Sequence, residues 1–138
     1  MHIDISVYVS SKELKLTLFL LLSSVPTAPP VGVIATPVNS TSVFISWDPP
    51  LFEFQNGVIT GYSIILTTVM VESRNASFFS SNTGIITIRF LHPFTAYVIA
   101  VAAQTSVGTG PYTSNYSTMT PEDGKQWSTY SFYCEVTV

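Results

Sequence analysis

Leu91-His92-Pro93-Phe94-Thr95-Ala96-Tyr97 runs directly into Val98-Ile99-Ala100-Val101-Ala102-Ala103. Pro93 has no backbone N–H and a fixed φ, so the first residues read as a turn, with His92 an exposed loop side chain. From Ala96 to Ser106 the pattern has period two. Tyr97, Ile99, Val101 and Ala103 share one face, which is the signature of a strand with a buried side.

Moving outward, short apolar runs recur at intervals of about ten residues, separated by turn formers, and that spacing points to an all-β sandwich. Upstream lies Ile85 to Phe90, and before it the mostly polar stretch Glu72 to Gly84, which has Phe78 and Phe79 and room for a short edge strand. Ile59 to Val71 places Tyr62, Ile64 and Leu66 on one face, and Asn56-Gly57 ahead of it supplies a left-handed turn. Ser42 to Trp47 puts Val43, Ile45 and Trp47 together, with Phe44 and Ser46 opposite, until Asp48-Pro49-Pro50 removes the ladder donors. Val31 to Thr36 is the first run. Downstream, Gly108-Thr109-Gly110-Pro111 reads as a tight loop and Tyr112 to Thr120 as the last strand. Seven strands, counting the edge strand, make two antiparallel sheets, each able to hide its apolar face only against the other.

The sandwich spans residues 26–123. Pro26, Pro29 and Pro30 form a stiff extended connector at its start. Residues 1–25 are a leader. Basic Lys12 and Lys15, the apolar stretch Leu16 to Leu22 and the small Ser23-Ser24 resemble a secretion signal or weak anchor. A fragment of a neighbouring module or an unnatural start fits equally, given Asp4, Glu13 and the alternation from Ile3 to Val9. The apolar stretch falls short of the roughly 20 residues of a spanning helix. Residues 124–138 are a tail with strand-like alternation of Phe132, Cys134, Val136 and Val138, compatible with a truncated continuation.

Composition narrows the function. Hydrophobic residues make up 46 % of the 138, so a true core is available. Charged residues are only 9 %, so Ser, Thr and Asn must carry solubility, as in many extracellular modules. Lys12, Lys15, Arg74, Arg89 and Lys125 are scattered and make no phosphate-tracking stripe, which argues against a nucleic-acid partner. Cys134 is the single cysteine, which excludes an internal disulfide and a thiolate metal cage. It is a free thiol in the tail or half of an intermolecular bridge.

The ordered set of residues resembles the fibronectin type III family from about Pro26 to Asp123. The proline cluster, Trp47 with Pro49 and Pro50, Asn56-Gly57 with Tyr62, and Leu91-x-Pro93-x-Thr95-x-Tyr97 match in turn. Gly108, Gly110 and Pro111, then Thr120, Glu122 and Asp123, complete the match. The resemblance implies an immunoglobulin-like seven-stranded antiparallel sandwich with Trp47, Tyr62, Leu91, Tyr97 and Val101 as structural core. It also implies a tyrosine corner, in which the Tyr97 hydroxyl returns to the backbone near Leu91. A buried Trp47 needs a partner for its indole N–H. An immunoglobulin domain proper would add cysteines around Trp47, and there are none.

No catalytic, cofactor-binding or metal site emerges. His2 and His92 are far apart in sequence, Asp48 has no sequence partner, and no Gly-x-Ser-x-Gly elbow or lysine-bearing phosphate loop occurs. Three Asn-x-Ser/Thr sequons are candidate glycosylation sites: Asn39 and Asn75 in expected loops, and Asn115 on the last expected strand. Candidate contact loops are Phe52 and Phe54, which either cap the core or meet a partner, and Gly108, Gly110 and Tyr112 at a sandwich end. The resemblance is to repeats of adhesion proteins and receptor-type tyrosine phosphatase ectodomains. It implies a non-catalytic extracellular or membrane-associated module, rather than a cytoplasmic one. Its partner would be a protein or a neighbouring repeat, with no small-molecule substrate and any membrane tether outside the domain. A spacer in a matrix or intracellular filament, or an accessory domain of a larger enzyme, are the alternatives.

Overall fold

The computed structural model describes residues 23–69 and 76–124. The leader stretch Leu16 to Leu22, Asn75, Cys134 and the rest of the tail beyond Gly124 lie outside them. The strands are β1 (Val31–Asn39), β2 (Ser42–Asp48), β3 (Gly61–Thr68), β4 (Ala76–Ser81), β5 (Ile85–Ile88), β6 (Ala96–Gln104), β7 (Thr109–Tyr112) and β8 (Tyr116–Met119). One helical turn, α1 (Phe52–Gln55), lies between β2 and β3.

One antiparallel sheet has the order β1-β2-β5; the other runs β4-β3-β6, with both β7 and β8 on the far side of β6. β7 and β8 are therefore two halves of a seventh strand, and the chain is a two-sheet sandwich of seven strands. The break departs from the single run Tyr112 to Thr120 that alternation suggested. Its cause is Thr113: its hydroxyl accepts the Val101 N–H at 3.1 Å while its own N–H donates to the Val101 carbonyl at 2.9 Å. A side chain stands in for a ladder acceptor, so strand pairing lapses there while the polar groups stay satisfied.

The core forms where the alternating faces meet. Val43, Ile45 and Trp47 of β2, with Val33 and Ile88, face Tyr62, Ile64 and Leu66 of β3 and Tyr97, Ile99, Val101 and Ala103 of β6. β3 pairs with β6 without interruption from Gly61↔Gln104 to Thr68↔Tyr97. A one-residue slip there would turn every core side chain to solvent, so the buried face itself enforces the register. Trp47 meets Tyr62 edge-on, ring centroids 5.3 Å apart, the geometry favoured by aromatic quadrupoles.

Both ends of the sandwich are clasped. At the first pole, Ser24 N–H donates to the Asn56 carbonyl at 2.7 Å, Thr105 Oγ1 to the Ser24 carbonyl at 2.8 Å, and Asn56 Nδ2 to the Val25 carbonyl at 3.1 Å. Ordered contacts thus begin before Pro26. At the opposite pole, Thr120 N–H donates to the Thr95 carbonyl at 3.0 Å and Ser40 Oγ to Asp123 Oδ1. The nine residues of β6 separate the poles, about 30 Å at strand rise.

Candidate contact surfaces

Trp47, Tyr62, Tyr97 and Val101 are buried, and Leu91 packs half-buried against the same cluster. The tyrosine corner is present: His92 N–H donates to the Tyr97 hydroxyl at 2.8 Å. Thr120, fully buried, ties the last strand to it. Its Oγ1 accepts the Thr95 N–H at 3.0 Å and donates to the His92 carbonyl at 2.7 Å. The indole N–H of Trp47 departs from expectation, being buried without a hydrogen-bond partner among the described residues. The gain from filling the centre of the core outweighs the one lost bond.

Burial, and secondarily the negative charge of Asp48, hold the Tyr62 phenol above its ordinary value of 10.0. The folded state thus favours the neutral phenol. Stability is full below about pH 10 and falls as pH rises beyond it, because the unfolded chain ionises first. An alkaline titration of the melting temperature is expected to show this fall, and Tyr62→Phe to flatten it.

The candidate contact residues separate by environment. Phe52 and Phe54 lie on α1, 73 % and 39 % exposed, and neither joins the core cluster. Gly110 lies within β7 rather than in a loop, and a Cβ there would sit 2.7 Å from the Pro26 carbonyl oxygen. Glycine is what lets the entering connector lie against β7. Gly108, in the preceding loop, similarly faces Val25. Tyr112 is also a strand residue. Paired with Ala102, it reaches across that small side chain to hydrogen-bond Ser63 on β3 at 2.9 Å.

Two sequons fall on described backbone. Asn39 is exposed at the end of β1, its Oδ1 accepting the Thr41 N–H at 2.9 Å. Asn115 is exposed in the break between β7 and β8, off the strand on which alternation had placed it.

Phe90, which closes the apolar run from Ile85 but lies beyond the end of β5 at Ile88, and Phe94 in the turn are conformational outliers. Their φ values are +61° and +48°, and they are 96 % and 63 % exposed. A left-handed phenylalanine costs about 1 kcal/mol that asparagine largely avoids. Phe94→Asn is therefore expected to raise stability by about 0.5–1 kcal/mol, read from urea midpoints at unchanged slope.

No cluster of three His, Cys, Asp or Glu residues suited to a metal occurs among the described residues, and no helix among them is long and apolar enough to cross a membrane. The family model for the fibronectin type III domain matches residues 28–120. The chain belongs to the fibronectin type III family. Mouse protein sidekick-1 is 40 % identical over 108 residues, covering 74 % of this chain and 5 % of that protein. Drosophila tyrosine-protein phosphatase Lar is 37 % identical over 99 residues (72 % and 5 %), and human netrin receptor DCC 37 % over 102 residues (74 % and 7 %). The chain thus spans a small fraction of these relatives. Among solved structures, the FN5 domain of Drosophila Lar superposes with TM-score 0.59 at 36 % identity, covering 70 % of this chain and 98 % of that one. The third fibronectin III domain of human KIAA0343 protein shares the fold, with TM-score 0.64 at 24 % identity over 76 % of this chain and 90 % of that one. A single fibronectin type III domain of this kind is itself non-catalytic.

Proposed function

We propose that this chain is a protein-contacting or spacing module of an extracellular adhesion or receptor-like protein. The observation that carries the reading is the arrangement of the poles. The backbone enters at Ser24, clasped between Asn56 and Thr105, and leaves at Asp123, held by Ser40 some 30 Å away at strand rise. A domain gripped at opposite ends transmits position from one neighbour to the next, and its side surfaces stay available for protein contacts. The likeness to repeats of sidekick-1, Lar and netrin receptor DCC supports the same setting. The sparse, scattered basic residues favour a protein partner over a nucleic acid.

Location is the testable part. Expressed as the complete chain in secreting eukaryotic cells, the protein is expected to enter the secretory route and carry N-glycans. An N-glycan-removing enzyme should then increase its gel mobility, and changing Asn39, Asn75 and Asn115 to Gln should abolish that shift. Unshifted protein confined to the cytosol would overturn the extracellular reading and put an intracellular structural module in its place.

A further inference from the structure

The edges of a sheet expose unpaired backbone donors and acceptors, and proteins usually blunt them with proline, bulges, charge or short length. Three edges here are blunted. β1 carries Pro37, a left-handed Gly32 and two register shifts; β5 has only four residues; the β7–β8 edge is broken and contains Pro111. β4 has none of these devices. Its sequence Ala76-Ser77-Phe78-Phe79-Ser80-Ser81 lacks charge and proline, and it pairs with β3 without a shift from Thr67↔Ala76 to Tyr62↔Ser81. It ends the sheet order, so no described strand lies on its other side. Phe79 packs toward the core, whereas Phe78 is 70 % exposed on the outer face.

We propose that β4 is a self-pairing edge, which joins antiparallel to β4 of a second copy across a two-fold axis. The strand fits itself. Directly opposed residues in an antiparallel pair must share a face, so outward residues meet outward ones. Centring on Phe78 sets Phe78 opposite Phe78 of the second copy, Ala76 opposite Ser80 and Ser77 opposite Phe79. Every inward side chain then stays inward, the two exposed rings cover each other as a cross-strand aromatic pair, and no like charges are opposed. A two-fold contact of this kind closes at two copies, unlike a head-to-tail one. One short strand per copy buries less than the roughly 1,200 Å² of a standard interface, so the dimer is weak and reversible. The pairing deepens the contact-module reading and rests on it only in seeking a partner. A chain that stays monomeric even without glycans, yet is secreted and glycosylated in eukaryotic cells, would overturn the pairing and leave that reading standing.

The test is sedimentation of the full chain with Cys134→Ser, produced in bacteria so that no glycan on Asn75, one residue before β4 in the sequence, opposes pairing. The weight-average mass is expected to rise with concentration from one chain toward two. Phe78→Lys sets two cations on the axis and is expected to weaken dimerisation at least about tenfold. It should leave the melting curve unchanged, because the side chain is exposed. As a second readout, Phe78→Cys in the same background is expected to oxidise to a covalent dimer, whereas inward Phe79→Cys is not. A mass fixed at one chain, growth beyond two, or dimerisation indifferent to Phe78→Lys would each refute the pairing.

Discussion

Trp47→Ala is expected to destabilise the domain by about 3–5 kcal/mol, the range for deleting a buried aromatic side chain. Trp47 is 5 % exposed, lies edge-on to Tyr62, and shares the cluster with Val43, Ile45 and Ile64. β2 is held between β1 and β5 and its backbone also pairs with Gly84, so the strand cannot close over the space left behind. Stabilities of small domains run at roughly 5–15 kcal/mol, so the variant should be largely unfolded well below the parent's melting temperature. Trp47→Phe separates the two roles of the side chain. Because the indole N–H has no partner among the described residues, phenylalanine gives up no hydrogen bond and loses only volume. Its cost should therefore be clearly smaller than that of alanine. Urea unfolding followed by circular dichroism measures both. Equal losses would show that the indole N–H carries the effect.

Thr120→Val is expected to cost about 2–4 kcal/mol, although it preserves shape and removes no apolar contact. The single hydroxyl serves two backbone groups, accepting from Thr95 N–H and donating to the His92 carbonyl. Valine leaves both without that partner, and unsatisfied buried groups cost about 1–3 kcal/mol each. Thr120→Ser keeps the hydroxyl and should recover most of the loss. If valine proved neutral and serine damaging, the residue would act through packing, and the clasp at the tyrosine corner would not be what anchors the last strand.

The fold was legible because three signals agreed. Alternation over Tyr97, Ile99 and Val101 fixed the inward face of β6, and the same period over Val43, Ile45 and Trp47 fixed that of β2. Prolines and Asn56-Gly57 marked the ends of the runs. What alternation could not show was any position where a side chain substitutes for backbone. Thr113 and Thr120 look like ordinary strand residues, yet one breaks the seventh strand and the other clasps its end. The same limit misplaced Asn115 on a strand, and hid the grip of the Asn56 and Thr105 side chains on the Val25 and Ser24 carbonyls. Gly110 read as a loop residue because glycine marks loops more often than close approaches; the connector that needs its missing Cβ lies more than 80 residues back in sequence. Phe52 was ambiguous because an aromatic residue beside a strand end is apolar whether it covers a core or faces solvent. Its exposure on α1 is what tells the two apart.

The most direct check of the account is whether the clasped sandwich stands alone. Residues 23–124, expressed without the leader and the tail, should give β-type circular dichroism and one cooperative melting transition. A fragment begun at Pro26 should melt in the same manner at a lower temperature, because it lacks the bonds of Ser24 and Val25 to Asn56 and Thr105. A helical spectrum, or a chain of residues 23–124 that fails to fold, would contradict the self-contained domain on which the functional reading depends.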